Sequence, residues 1–194
     1  MSNWHSRLGF LPYVESALGG IPIDMAGSKL VLAGYRNYIA AHGSNRSVNG
    51  RVFEGLVLES LYREGILPAY YQASVEFIPS VNYDILLYHP KTPVVLSCKT
   101  SLRERWKQAD LEGLAIKQVY RGARSFLLTM NEKEGNSIQR KVSDSQAVGL
   151  DECVVVQGKG DQFDQLLEKL KLTQFVEANA VIPVRGRVVN AASS

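Results

Sequence analysis

Asp84 and Lys99 are the two residues whose types and spacing point first to chemistry. Asp84 sits inside an apolar stretch, VNYDILLY, flanked by Tyr83 and Ile85. A carboxylate among apolar strand residues is costly unless it is paired or binds a cation. Lys99 ends a second apolar stretch, PVVLSCK. Strand periodicity puts Lys99 on the same face as Ser97, with Leu96 and Cys98 on the other. The two stretches are joined by the turn-like HPKT, so a hairpin brings residue 84 close to residues 97–99 across the ladder. A carboxylate that holds Mg²⁺, beside a lysine that orients or deprotonates water, is a set suited to phosphodiester hydrolysis. Taken alone, the pair has a plainer reading as an ion pair closing a hairpin.

Two further acids enlarge the set. Glu112 follows Lys99 on the next helical segment, and 112, 115, 116 and 119 recur at helical spacing with Ala115, Ile116 and Val119. Glu112 therefore borders an inward stripe. Glu54 stands in the same relation to Val57, Leu58 and Leu61. Glu59 falls off that stripe and is expected to be the solvated acid of its helix.

The elements that must position these residues can be read in outline. Residues 1–25 read as irregular, punctuated by Pro12, Gly19-Gly20 and Pro22. The pattern predicts a helix over 28–41 that ends at Gly43. A second helix over 50–64 is capped by Ser47 or Asn49 and stopped by Gly65 and Pro68. Strands are predicted at 73–78, 81–88 and 93–99, a helix over 102–121, strands at 125–130 and 152–156, and an amphipathic helix over 161–172. The order implies an α/β fold, a sandwich with a mixed central β-sheet flanked by helices. One domain is expected: an N-terminal segment 1–45, a core 46–180 and a tail 181–194.

Composition sets limits. The 194 residues are 45% hydrophobic and 21% charged, enough for an ordinary hydrophobic core. No apolar run approaches membrane-spanning length, and MSNWHSRLGF lacks the pattern of a signal peptide, so a cytoplasmic, prokaryotic location is expected. Cys98 and Cys153 lie in apolar strand-like runs and read as buried free thiols, with no CxxC or His/Cys cluster for zinc. A net charge of +3 permits nucleic-acid binding without arguing for it. The segment 99–107 is more telling, because it gathers Lys99, Arg103, Arg105 and Lys107 around the single acid Glu104.

The block SCKTSLRERWKQADLEG resembles the active-site region of type II restriction endonucleases of the EcoRII/NgoMIV-like group, within the PD-(D/E)xK superfamily. In that group the second acid of (D/E)xK is replaced by Ser, and a glutamate on the following helix supplies the carboxylate. Ser97-Cys98-Lys99 matches S-x-K, and Glu112 stands about a dozen residues beyond Lys99. The resemblance implies a restriction-endonuclease-like fold, with Asp84, Lys99, Glu112, Glu54 and Ser97 as catalytic residues. It also implies Mg²⁺ held by Asp84 and Glu112, with Mn²⁺ able to substitute. Relatives that cut at CC…GG sequences carry a triplet like Arg103-Glu104-Arg105 at the start of that helix. Arginine is bidentate to guanine and glutamate accepts from cytosine N4, so these residues are candidates for base reading, with Lys107 as a DNA contact. The implied partners are double-stranded DNA, at a palindromic site containing CC/GG, and a second copy of the chain in a homodimer. Other readings are a repair or junction-cleaving nuclease of the same fold, and a non-catalytic DNA-binding protein. The resemblance covers about residues 84–113, more weakly back to Glu54, and Tyr83 stands where the superfamily carries Pro.

The remaining expectations are weaker. Trp106 packs in the core or stacks near DNA. Lys117, Arg121 and Arg124 are candidate phosphate contacts. Trp4, Phe10 and Tyr13 are candidates for a wedge into the base stack. Residues 131–146 read as a DNA-facing loop or a solvated excursion, and helix 161–172 or residues 26–41 as a dimer surface.

Overall fold

The structure is a computed structural model and describes residues 13–78, 80–156, 162–178 and 184–190, the last segment as backbone alone at 184–187. It is α/β, with a six-stranded mixed open sheet flanked by helices on both faces. The elements in chain order are α1 (Val14–Leu18), α2 (Gly27–His42), α3 (Arg46–Arg63), β1 (Ala69–Val75), β2 (Tyr83–Leu87), β3 (Val94–Cys98), α4 (Arg105–Val119), β4 (Arg124–Thr129), α5 (Glu132–Ser143), β5 (Glu152–Val155), α6 (Gln162–Lys171) and β6 (Val184–Val189). The sheet order is β5-β4-β3-β2-β1-β6. Strands β3, β4 and β5 run parallel, while β3, β2, β1 and β6 are joined antiparallel.

The face carrying Ile85, Leu96, Cys98, Leu128 and Val154 packs on α1, α2, α3 and α6. The opposite face packs on α4 through Ile116 and on α5 through Ile138. Helix α3 is the keystone. Its residues 52–61 are all buried, because α2 lies along one side and the sheet along the other. Each of its large apolar side chains contributes about 1.5–3 kcal/mol of burial. Gly34 of α2 permits the close approach, since a Cβ there would stand 2.5 Å from Leu56.

Several sequence expectations are corrected. The segment 131–146 is not a loop: it carries α5, capped by Asn131, which accepts from the Glu134 amide at 3.1 Å. Its helical stripe is thin, since only Gly135 and Ile138 are buried, so its polar composition hid it. The tail at 181–194 contains β6, which pairs with β1 and extends the sheet. Residues 1–25 hold the short helix α1. Strand β1 begins at Ala69, directly after Pro68, and not at 73. Helix α3 starts at Arg46 under an Asn45 cap, and Asn49 is buried inside it, accepting from the Tyr38 hydroxyl at 3.0 Å. Glu59 is not solvated. It is buried and paired with Arg63 at 2.6 Å, because a helix buried on several sides offers no fully wet face. Val119 is half-exposed and not part of an inward stripe. Both cysteines are buried and free. No helix among the described residues is long and apolar enough to cross a membrane.

Candidate active site

The site forms where two neighbouring strands break their alternation. In β1, Ala69 and Tyr71 pack on one face of the sheet, but Tyr70, Ala73 and Val75 pack on the other. The side switches at Gln72, which has φ 51°, and the β1–β6 register shifts between Tyr71 and Ser74. Strand β2 switches at the facing position: Tyr83 packs with Leu86, while Ile85 packs on the first face. Asp84 lies at that break. The irregularity frees its carboxylate from the two packed layers and aims it at the end of β3.

The hairpin pairs Ile85 with Leu96, Leu86 with Val95 and Leu87 with Val94. At its turn the His89 ring accepts from the Thr92 amide at 3.0 Å. This register brings Asp84 and Lys99 together, with Nζ 2.6 Å from Oδ2 and both side chains buried. The Cys98 amide donates to the same oxygen at 2.8 Å. The other oxygen, Oδ1, has only a long contact of 3.5 Å from the Gln72 amide. Glu112 enters from α4, whose first turns lie beside the end of β3. Its Oε1 accepts from Gln108 at 2.8 Å, and its Oε2 has a 3.4 Å contact with the Ser97 hydroxyl. Glu54 reaches in from α3 and accepts from Tyr71 at 2.8 Å and Gln72 at 3.0 Å.

Five of the sequence-predicted residues, Asp84, Lys99, Glu112, Glu54 and Ser97, are buried: contacts join Glu54, Gln72, Asp84 and Lys99 in one set and Ser97 and Glu112 in another, and the Glu112 charge acts on Lys99 between them. The electrostatics of the site follow from three acids around one ammonium. Burial, followed by the Asp84 charge, pushes the Glu54 carboxyl up to about 7. Burial also raises Glu112. Burial alone would lower Lys99, but the charge and hydrogen bond of Asp84, together with Glu112, outweigh it and raise the ammonium. Lys99 is thus held in its charged form at neutral pH.

Among the described residues no three His, Cys, Asp or Glu side chains stand together as a ready-made metal cluster. Mg²⁺ does not require one, because it keeps several waters and is bound through one or two carboxylates plus substrate phosphates. Asp84 Oδ1 and Glu112 Oε2, each with only a long protein contact, fit that donor chemistry.

A cleft of about 810 Å³ opens onto the cluster. Glu54, Asp84 and Lys99 line it together with Gln72 and Tyr71. Its remaining wall includes Arg46, Ser47, Gly50 and Arg51 of α3, and Arg105 and Gln108 of α4. Arg103, Glu104 and Arg105 are exposed at the start of α4, where only Arg105 lines the cleft. The turn before α4 is fixed from α5, since the Glu134 carboxylate accepts from the Leu102 amide at 2.7 Å. Lys107 is ion-paired with Glu104 in an exposed pair, and Trp106 is half-buried against the Leu102–Ala109 cluster. Lys117 pairs with Asp151 at 2.9 Å, while Arg121 and Arg124 are exposed. Tyr13 packs against Tyr38 and His42, and Trp4 and Phe10 lie outside the described residues.

Sequence reasoning missed Gln72, Gln108, Arg46 and Arg51. Gln108 and Arg51 were within reach, since they stand one helical turn before Glu112 and Glu54. Gln72 carries no comparable signal, because its role depends on a backbone irregularity. Comparison with protein-family models, with curated proteins and with solved structures returns no match to this chain.

Proposed function

We propose that this chain is a Mg²⁺-dependent endonuclease with a PD-(D/E)xK fold. In this reading it acts as a type II restriction enzyme on double-stranded DNA, at a palindromic site containing CC/GG. The observation that carries the reading is the buried meeting of Asp84 and Lys99 at 2.6 Å at the floor of an arginine-rimmed cleft, with Glu112 contacting the neighbouring Ser97. A purely structural Asp–Lys pair would not call for two further buried carboxylates next to it.

Asp84 and Glu112 are the residues that would hold Mg²⁺, which supplies an activated water and stabilises charge on the phosphate. Lys99, kept charged by its neighbours, is suited to orienting that water and to stabilising the negative charge that grows on the phosphate oxygens. A charged ammonium does not take up a proton, so the general-base role falls to another group. Ser97 steadies the Glu112 carboxylate. Arg103, Glu104 and Arg105, exposed beside the cleft, are the candidate base readers, and the chemistry of their side chains suits G·C pairs.

The test is incubation with plasmid DNA with and without Mg²⁺, followed by mapping of the ends. Discrete fragments with a common terminal sequence are expected. Structure-dependent nicking would favour a repair or junction nuclease instead, and no cleavage in Mg²⁺ or Mn²⁺ would sink the enzyme reading. Lys99→Ala is expected to lose about 10²–10³-fold in cleavage rate while still binding DNA in Ca²⁺.

A further inference from the structure

We infer that Arg46 and Arg51 of α3 grip the phosphodiester backbone of duplex DNA beside the scissile position, an inference that rests on the nuclease reading above. Ser47, Gly50, Arg51 and Glu54 recur at helical spacing, and all four line the cleft, so one face of α3 forms its wall. Glu54 ends that face at the carboxylate floor, and Arg51 stands one turn nearer the rim. At Gly50 a Cβ would meet nothing within 4 Å, which leaves the wall between the arginines open to a ligand.

The charge order of the helices supports a ligand over a merely solvated surface. A helix favours acids in its first turn and bases in its last. Helix α5 obeys this, with Glu132 and Glu134 at its start and Arg140 and Lys141 at its end. Helices α3 and α4 obey it at their ends, with Arg63 and Lys117 in the last turn, but not at their starts. Each begins with an arginine, Arg46 or Arg105, and has no acid in its first turn, though Glu104 stands at the N-cap of α4. Both open onto the same cleft. Among the described residues, Arg46, Arg51 and Arg105 have no ion-pair partner. Arg46 and Arg105 sit at the helix end that disfavours a cation, and all three arginines complement an anion lying across the cleft. The floor sets the carboxylates Asp84 and Glu54 beside the Lys99 ammonium, and with the three arginines the lining as a whole is cationic. A polyanion that bridges the two arginine walls and meets the carboxylates through Mg²⁺ fits the whole surface. Arg46 and Arg51 touch backbone and carry no base information, in contrast to Arg105.

The experiment is a salt titration of binding to a mixed-sequence duplex in Ca²⁺, followed by fluorescence anisotropy. Arg46→Gln and Arg51→Gln are each expected to make the slope of log affinity against log salt shallower by about 0.9, and the double variant by about twice that. The loss should be the same for any duplex sequence. Arg51→Lys should restore the slope, and Arg36→Gln, an exposed arginine of α2 outside the cleft, should leave it unchanged. If the wild-type chain binds the duplex but the double variant keeps its slope, the inference falls and the nuclease reading stands. An equal change in Arg36→Gln would likewise overturn it, as an effect of overall charge. If the wild-type chain binds no duplex under any of these salts, both readings fall together.

Discussion

Glu54 shows what burial does to a single carboxyl in this fold. Its pKa is raised to about 7 by burial and then by Asp84, whereas the same group in an unfolded chain titrates near 4.5. Between those values the folded state holds a proton that the unfolded state has released. Stability from this group is therefore fully present below about pH 4.5 and is lost as pH rises through about 7. In chelator, the melting temperature should fall across that window, and Glu54→Gln should flatten the fall. A profile identical in wild type and variant would show that Glu54 is not strained by its neighbours. The arginines at the start of α4 make a different kind of residue-scale prediction. Arg105→Ala is expected to weaken binding to a cleavable duplex by roughly 1–3 kcal/mol and to narrow the gap between cognate and mixed sequences. Arg103→Ala should do the same if both arginines read bases. Competition binding in Ca²⁺ measures this, and full retention of specificity in both variants would remove the base-reading role.

Helix α4 has to bring Glu112 to Ser97 and Arg105 to the cleft at once, and its seat is narrow. Gly113 faces the backbone of Gly149, whose carbonyl oxygen leaves no room for a Cβ. Asp110 fixes the same loop by accepting from the Gly149 amide at 2.7 Å and the Leu150 amide at 3.1 Å. Gly113→Ala should therefore push α4 outward and cost about 1–3 kcal/mol in urea denaturation. Cleavage should fall further than stability explains, because Glu112 is the neighbouring residue. An unchanged rate in a destabilised variant would mean that the position of Glu112 does not matter. The same helix shows what was legible in the sequence. Residues 84 and 99 were found because strand period and one short turn are local rules, and residues 97 and 112 through the resemblance, but the break at Gln72 and Asp84 that aims the carboxylate leaves no local signal. Glu59 was misread because its burial comes from α2 and the sheet together, which no single stripe reports. Helix α5 was missed because its inward stripe of Gly135, Ile138 and Val142 holds only two large apolar side chains in an otherwise polar segment. Strand β6 was hidden because its partner, β1, lies more than a hundred residues earlier in the chain, and the pairing is set by the sheet and not by its own residues.

At the scale of the whole molecule, the proposed catalytic cluster lies along a cleft that, in the nuclease reading, suits the chain to cutting one strand. A palindromic duplex presents two equivalent scissile bonds, and two-fold pairing of chains is the economical way to meet both. The surfaces suggested by the sequence for such pairing are largely spent inside the fold. Helix α6 buries Phe163, Leu166, Leu167 and Leu170, and its Asp164 accepts from Ser28 at the start of α2, locking those two helices to each other. A dimer would thus have to use their outer sides or another face altogether. The expected outcome is a particle of twice the 21.5 kDa chain mass by light scattering, at least when duplex is bound. Supercoiled plasmid should then pass to linear product with little nicked intermediate at high protein concentration, and nicked circles should accumulate on dilution as the pair dissociates. A monomer that linearises plasmid at a rate independent of dilution would argue against paired action, and would require the single cluster of Asp84, Lys99 and Glu112 to turn over twice on the same duplex.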